Sequence, residues 1–185
     1  MAQPPRHGAG GRSGDGWPRP PGAGGEAYRA DGPKPRGSDD DQQRRDFKKL
    51  LSEIRLAEPT PDLFDTTAEK IARALRPSAQ HGPNKRSQVR RFYDELLRFR
   101  MRLPEAHGPP DGPDAAFHNA LPFIRMLNAR AAYAAERKSE GGTLVSREFT
   151  DFLRRLLEEV KDRRTLANAC TLFEAVIGFM PPDRG

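Results

Sequence analysis

Long apolar runs are missing from this chain. No stretch approaches the ~18 consecutive apolar residues of a membrane-spanning helix, and the N-terminus has no apolar segment of the kind a secretory signal carries. Both absences point to a cytoplasmic protein with no membrane partner. Cysteine is almost absent: Cys170 is the only one, which excludes an intramolecular disulfide and a cysteine-rich zinc site. It falls on an apolar helical stripe and is read as a buried structural thiol. Of the four histidines, His7, His81 and His107 lie in Gly/Pro-rich segments, and no pair that includes His118 has ligand spacing on a helix. No metal site is expected. There is no glycine-rich phosphate loop and no visible nucleophile–base set, so no catalytic residue and no cofactor are expected either. Residues 1–40 hold ten Gly and seven Pro but no Leu, Ile, Val or Phe. Such a segment cannot bury enough apolar surface to offset its ordering entropy. The expectation is a disordered tail over 1–39, with Trp17 and Tyr28 incidental to it, and a folded domain over 40–182.

What the chain has is charge, in one place. The pI of about 9.8 favours an anionic partner. Between Asn84 and Leu103 seven Lys/Arg face two acids, a local +5 out of the chain's +6. Val89, Phe92, Leu96, Phe99 and Leu103 recur at spacings of three and four, which marks one face of a helix. Arg91, Arg98 and Arg102 fall together on the opposite face. An apolar seam backed by a cationic stripe is the footprint of a surface that meets phosphates. Asp94 and Glu95 interrupt the stripe, which suits a modest, sequence-independent contact better than a duplex-DNA reader. Arg100 lies between Tyr93 and Leu96 on the apolar side, so it must snorkel, pair with an acid or face a partner.

The remaining pattern is helical throughout. Phe47, Leu50, Leu51 and Ile54 form a first stripe that ends at Glu58-Pro59-Thr60-Pro61. Phe64, Ala68, Ile71 and Leu75 form a second. Ser87 or Asn84 is a candidate cap for the basic helix, which stops at Leu103-Pro104. Asp114 opens a fourth region with Phe117, Leu121, Ile124, Leu127, Ala131 and Ala135 inward; Pro122 inside it predicts a kink or a restart. Arg125, Arg130 and Arg137 lie on this helix, the last two sharing a face with Met126 and Tyr133. They are either an extension of the cationic surface or snorkelling cations around a partly buried tyrosine. Thr143-Leu144-Val145 is too short for a strand and is read as loop. Ser146 caps a fifth helix with Phe149, Phe152, Leu153, Leu156, Leu157 and Val160 inward, and Glu158-Glu159 on a solvated face. Asp162 or Thr165 caps a sixth with Leu166, Ala169, Cys170, Phe173, Val176 and Ile177 inward. Short connections and no strand pattern give an all-α fold, a compact bundle of about five to six helices.

The run SQVRRFYDEL (87–96), then LPFIRMLNARAAYAAER (121–137), then FEAVIGF (173–179), resembles the small helical subunit of type III-A CRISPR–Cas interference complexes, the Csm small subunit. The resemblance covers roughly 45–180 and leaves the tail unmatched. It implies an RNA-binding bundle without nuclease activity. Copies of such subunits stack head-to-tail along the ribonucleoprotein, beside the other Csm subunits. They lie against the duplex of guide (crRNA) and target RNA and contact mainly the target backbone. Carried over by position, the contact residues are Lys85, Arg86, Gln88, Arg91, Arg98, Arg125, Arg130 and Arg137. The alternative of a different class is a helical protein–protein adaptor whose basic face only solvates it.

Removing residues 1–38 is expected to leave the thermal midpoint and the helical content per folded residue nearly unchanged, since no expected core residue lies there. A large loss of stability in a melting experiment would sink this domain boundary.

Overall fold

The computed structural model describes residues 36–76, 82–104, 114–139 and 142–183, with backbone alone at 36–38 and 138–139. Residues 1–35, most of the expected tail, lie outside the described residues. The elements run α1 (Arg36–Ser52), a 3-10 turn (Pro61–Phe64), α2 (Thr66–Ala74), α3 (Arg86–Arg102), α4 (Ala115–Arg125), α5 (Leu127–Glu136), β1 (Lys138–Ser139), β2 (Gly142–Thr143), α6 (Arg147–Glu158) and α7 (Arg163–Phe179). The all-α expectation holds. Helix α1 begins at Arg36, inside the stretch read as tail. The fourth region is two helices, a restart as one of the two expectations had it, but not at the proline: Pro122 sits within α4, and the break falls four residues later at Met126. Met126 keeps helical dihedrals, φ −64 and ψ −16, and its N–H still reaches the Pro122 carbonyl at 3.0 Å. Thr143 is not loop but part of a two-residue antiparallel pairing, Ser139 opposite Gly142 and Lys138 opposite Thr143.

Helix α7 organises the core, with α2 and α3 packed against it, while α5 packs on α6 and α1 on both α2 and α6. The inward residues expected for α6 and α7 are all buried. Helix α6 is a clean amphipathic case: Phe149, Phe152, Leu153, Leu156 and Leu157 are fully enclosed and charged residues hold the outer face. Phe149, Phe152 and Phe173 form an aromatic cluster, with the Phe152 and Phe173 rings edge-to-face at 5.5 Å. Tyr93 of α3 adds an edge-on contact to Phe173 at 5.9 Å. Cys170 is enclosed here too, and burial pushes its thiol up to about 11.

Caps follow local chemistry. The Ser146 hydroxyl accepts from Phe149 N–H, the Asp114 carboxylate accepts from Phe117 N–H, and Asp162 forms a reciprocal capping box with Thr165. The segment after α1 is held by polar contacts rather than helix. Ile54, expected on the α1 stripe, lies beyond its end yet is fully buried. Its carbonyl accepts from Arg155 at 2.8 Å, the Leu56 carbonyl accepts from Asn168 at 2.9 Å, and the Leu56 N–H donates to Glu159 at 3.3 Å. Glu159, read as solvated, is also the ion-pair partner of Arg155 at 2.8 Å.

The seam of α3 is rotated from the expected one. Val89 and Leu96 are enclosed as expected, but the third buried residue is Tyr93. Phe92 is half-buried, its ring tilted on Phe149 at 5.1 Å, and Phe99 is half-buried as well. Leu96→Ala is therefore expected to cost about 2–5 kcal/mol, the range for a truncated core leucine. Phe92→Ala should cost less, because a ring already in contact with water loses less on removal. Urea midpoints of the two variants check the order.

Candidate nucleic-acid interface

Helix α3 does not cap itself. Lys85 stands at its N-cap position without a side-chain bond, and neither Ser87 nor Asn84 plays the expected part. The cap comes from the far end of the chain: the Asp183 carboxylate accepts from Arg86 N–H at 2.6 Å and from Ser87 N–H at 2.9 Å. Burial raises the Asp183 pKa, but the Ser87 and Arg86 hydrogen bonds and the Lys85 charge outweigh it, and the net shift is downward. Asn84 is instead a buried junction. Its backbone is left-handed, φ 65, which asparagine tolerates better than most residues. Its side-chain amide donates to the Leu75 carbonyl at 3.0 Å and to the Ser146 hydroxyl at 2.9 Å, and its Oδ1 accepts from Ser146 N–H at 2.8 Å. One residue thus ties the end of α2, the start of α3 and the start of α6.

With its inner face set by Val89, Tyr93 and Leu96, α3 turns Arg91, Arg98 and Arg102 fully outward, as the helical wheel predicts. Gln88 and Lys85 continue this ridge toward the N-terminus at one-turn spacing, and both are half-buried. Arg86 is half-buried beside them. The two acids are engaged. Asp94 sits 3.9 Å from Arg90, one turn back on the same helix, an exposed pair of small energetic weight. Glu95 lies on the ridge itself, between Arg91 and Arg98, and pairs with Arg130 of α5. The residue that looked like an interruption is the link to the second basic helix.

On α5 the outward ridge carries Arg130, Tyr133 and Arg137 at spacings of three and four, continuing Met126. Tyr133 is 66% exposed, so the arginines do not snorkel around a partly buried ring. The Glu95–Arg130 pair brings the two ridges together at that point, and Arg91, Arg98, Arg130 and Arg137 are all exposed. Arg125 is exposed but falls about a quarter-turn or more from that ridge by helical spacing. Arg100 is exposed with no ion pair among the described residues, although its charge still acts on the Cys170 thiol. Asp183 escaped sequence reasoning because nothing local marks it: its contacts lie 96 and 97 residues away. Among the described residues no cluster of His, Cys, Asp and Glu has the makings of a metal site, and no helix is long and apolar enough to cross a membrane.

These features define a helical bundle with two exposed basic ridges joined by an ion pair. Residues 58–180, about two thirds of the chain, match the family model for Csm2 Type III-A. The chain belongs to that family, the small subunit of type III-A CRISPR–Cas complexes, and other subunits of such a complex are its partners. The match holds both basic ridges and excludes α1. No curated protein and no solved structure matches the chain.

The Asp183 cap makes a pH-dependent prediction. A depressed carboxylate pKa contributes stability above the ordinary value and loses it as pH falls through the lowered one. Asp183→Ala is expected to speed amide hydrogen exchange at Arg86 and Ser87 at neutral pH. The gap to the parent should close only as pH drops below the ordinary aspartate value of 3.8. Equal exchange at neutral pH would mean that the cap contributes nothing.

Proposed function

We propose that this chain is a non-catalytic, RNA-binding small subunit of the type III-A effector ribonucleoprotein. In this reading copies stack head-to-tail along the complex in the cytoplasm, and each lays its cationic face on the backbone of target RNA paired to the guide. The observation that supports the reading is the Glu95–Arg130 pair, which links the exposed ridge of Arg91 and Arg98 to that of Arg130 and Arg137. Arginine suits the task because its planar fork meets two phosphate oxygens at once and stays charged at any physiological pH. Residues seven apart on a helix are about 10 Å apart along its axis, within reach of successive or alternate phosphates for long side chains. Such contacts position a strand and do not read its bases. Lys85, Arg86 and Gln88 extend the same track at the start of α3, and Arg125 serves as an outlying contact.

Changing Arg91, Arg98, Arg130 and Arg137 together to Ala is expected to weaken target-RNA binding by the assembled complex about equally for unrelated sequences. It should also flatten the salt dependence, since each phosphate no longer neutralised removes about 0.7–0.9 from the log–log slope. Circular dichroism should be unchanged, because all four side chains are exposed. Lysine at the same positions should restore part of the affinity, returning charge without the bidentate fork. Full RNA affinity in a folded, assembled quadruple variant would overturn the assignment and favour the adaptor reading.

A further inference from the structure

The outer face of α4–α5 is more than basic. Large apolar side chains exposed among the described residues are Met101, Phe123, Met126, Tyr133 and Phe179, and three of these five lie on α4–α5. Phe123, Met126, Arg130, Tyr133 and Arg137 follow one another at spacings of three, four, three and four, and the helical dihedrals of Met126 carry that register across the break. Such spacing ordinarily marks a core face, but here the core face is a different one, made by Phe117, Ile124, Leu127, Ala131 and Ala134. The outer stripe begins apolar and then alternates cation and ring. Tyr133, at 66% the most exposed aromatic among the described residues, has Arg130 one turn before it and Arg137 one turn after. A single exposed tyrosine needs no explanation. A ring flanked along the helix by two arginines, on a ridge joined to a second basic helix, has the elements of a single-strand site: charge for the backbone and a flat face for a base.

We propose that Tyr133 stacks on an unpaired base of the bound RNA, with Arg130 and Arg137 holding the phosphates on either side. The ridge then takes a single-stranded nucleotide as well as the outside of a duplex. Charge decides between RNA and a protein occupant. A protein partner would have to desolvate both arginines along with the ring, which is unfavourable without acids to meet them. An RNA strand brings its own anions. The proposal rests on the RNA-binding reading above and adds base contact to it.

The test uses the full chain and two fluorescent probes of about ten nucleotides, within the usual single-strand site size: oligouridylate, and a ribose-phosphate strand of the same length without bases. Tyr133→Ala is expected to weaken oligouridylate binding about 5- to 150-fold, the range for losing one stacked base, with the salt slope unchanged. The abasic strand should bind parent and variant alike, and Tyr133→Phe should keep the affinity for oligouridylate. An equal loss on both strands, or none on either, overturns the stacking. If Arg91→Ala/Arg98→Ala still flattens the salt slope in that case, the RNA-binding reading survives without it. Unchanged RNA affinity in Tyr133→Ala, with weakened self-association or weakened incorporation into the complex, makes the stripe a protein interface and also overturns the proposal. Failure of the parent to bind oligouridylate overturns the stacking, while the RNA-binding reading is decided by the quadruple variant in the assembled complex.

Discussion

The placement of the basic helix depends on Asn84. A buried polar side chain is tolerated only when its hydrogen bonds are met, and here they are met by two other elements. The Leu75 carbonyl ends α2, Ser146 opens α6, and the Asn84 backbone leads into α3 while its own N–H reaches the Leu144 carbonyl at 3.0 Å. The left-handed backbone at this position carries a modest steric cost that the amide contacts offset. Any side chain that could not repeat both donor and acceptor roles would leave buried groups unpaired and free the start of α3. Asp183 secures the same end from outside by capping the first turn. Between them they hold the N-terminal end of α3 in place.

The consequence for function runs through one ion pair. Exposed salt bridges contribute little to stability, and Glu95–Arg130 is partly exposed on both sides. Its importance is geometric: it ties the ridge of α3 to that of α5 at one point. The arrangement also tempers the surface. Glu95 offsets part of the charge at the centre of the ridge, while Arg91, Arg98, Arg102 and Arg137 remain open at its flanks. A face of this kind binds polyanions without the strong, indiscriminate attraction of an uninterrupted basic stripe.

The interior was legible wherever one helix supplied its own signal. The stripes of α6 and α7 read directly as core because periodic apolar residues have only one way to leave water. Ser146, Asp114 and Asp162 read as caps because a helix N-terminus leaves N–H groups that a neighbouring oxygen satisfies. Reading failed where two options were close in energy. On α3, Phe92 and Tyr93 are adjacent in sequence, and a small rotation of the helix exchanges them. The aromatic cluster of Phe149 and Phe173 selects that rotation by giving Tyr93 an edge and Phe92 a tilted face. The break at Met126, four residues past the proline that suggested it, is likewise a matter of how α5 settles on α6.

Sequence by itself determined the class of the protein: helices from periodicity, no membrane-spanning helix from the want of apolar runs, and a cationic face from the charge gathered on α3. Those properties are local or compositional, and a chain carries them in any fold. Tertiary structure alone decided that Asp183 caps a helix 96 residues upstream, that Asn84 joins three elements, and that Glu95 connects the basic face instead of breaking it. Tyr133 faces water rather than the core for the same reason. Each of these depends on which surfaces of separate helices come together, and no spacing within one helix encodes that.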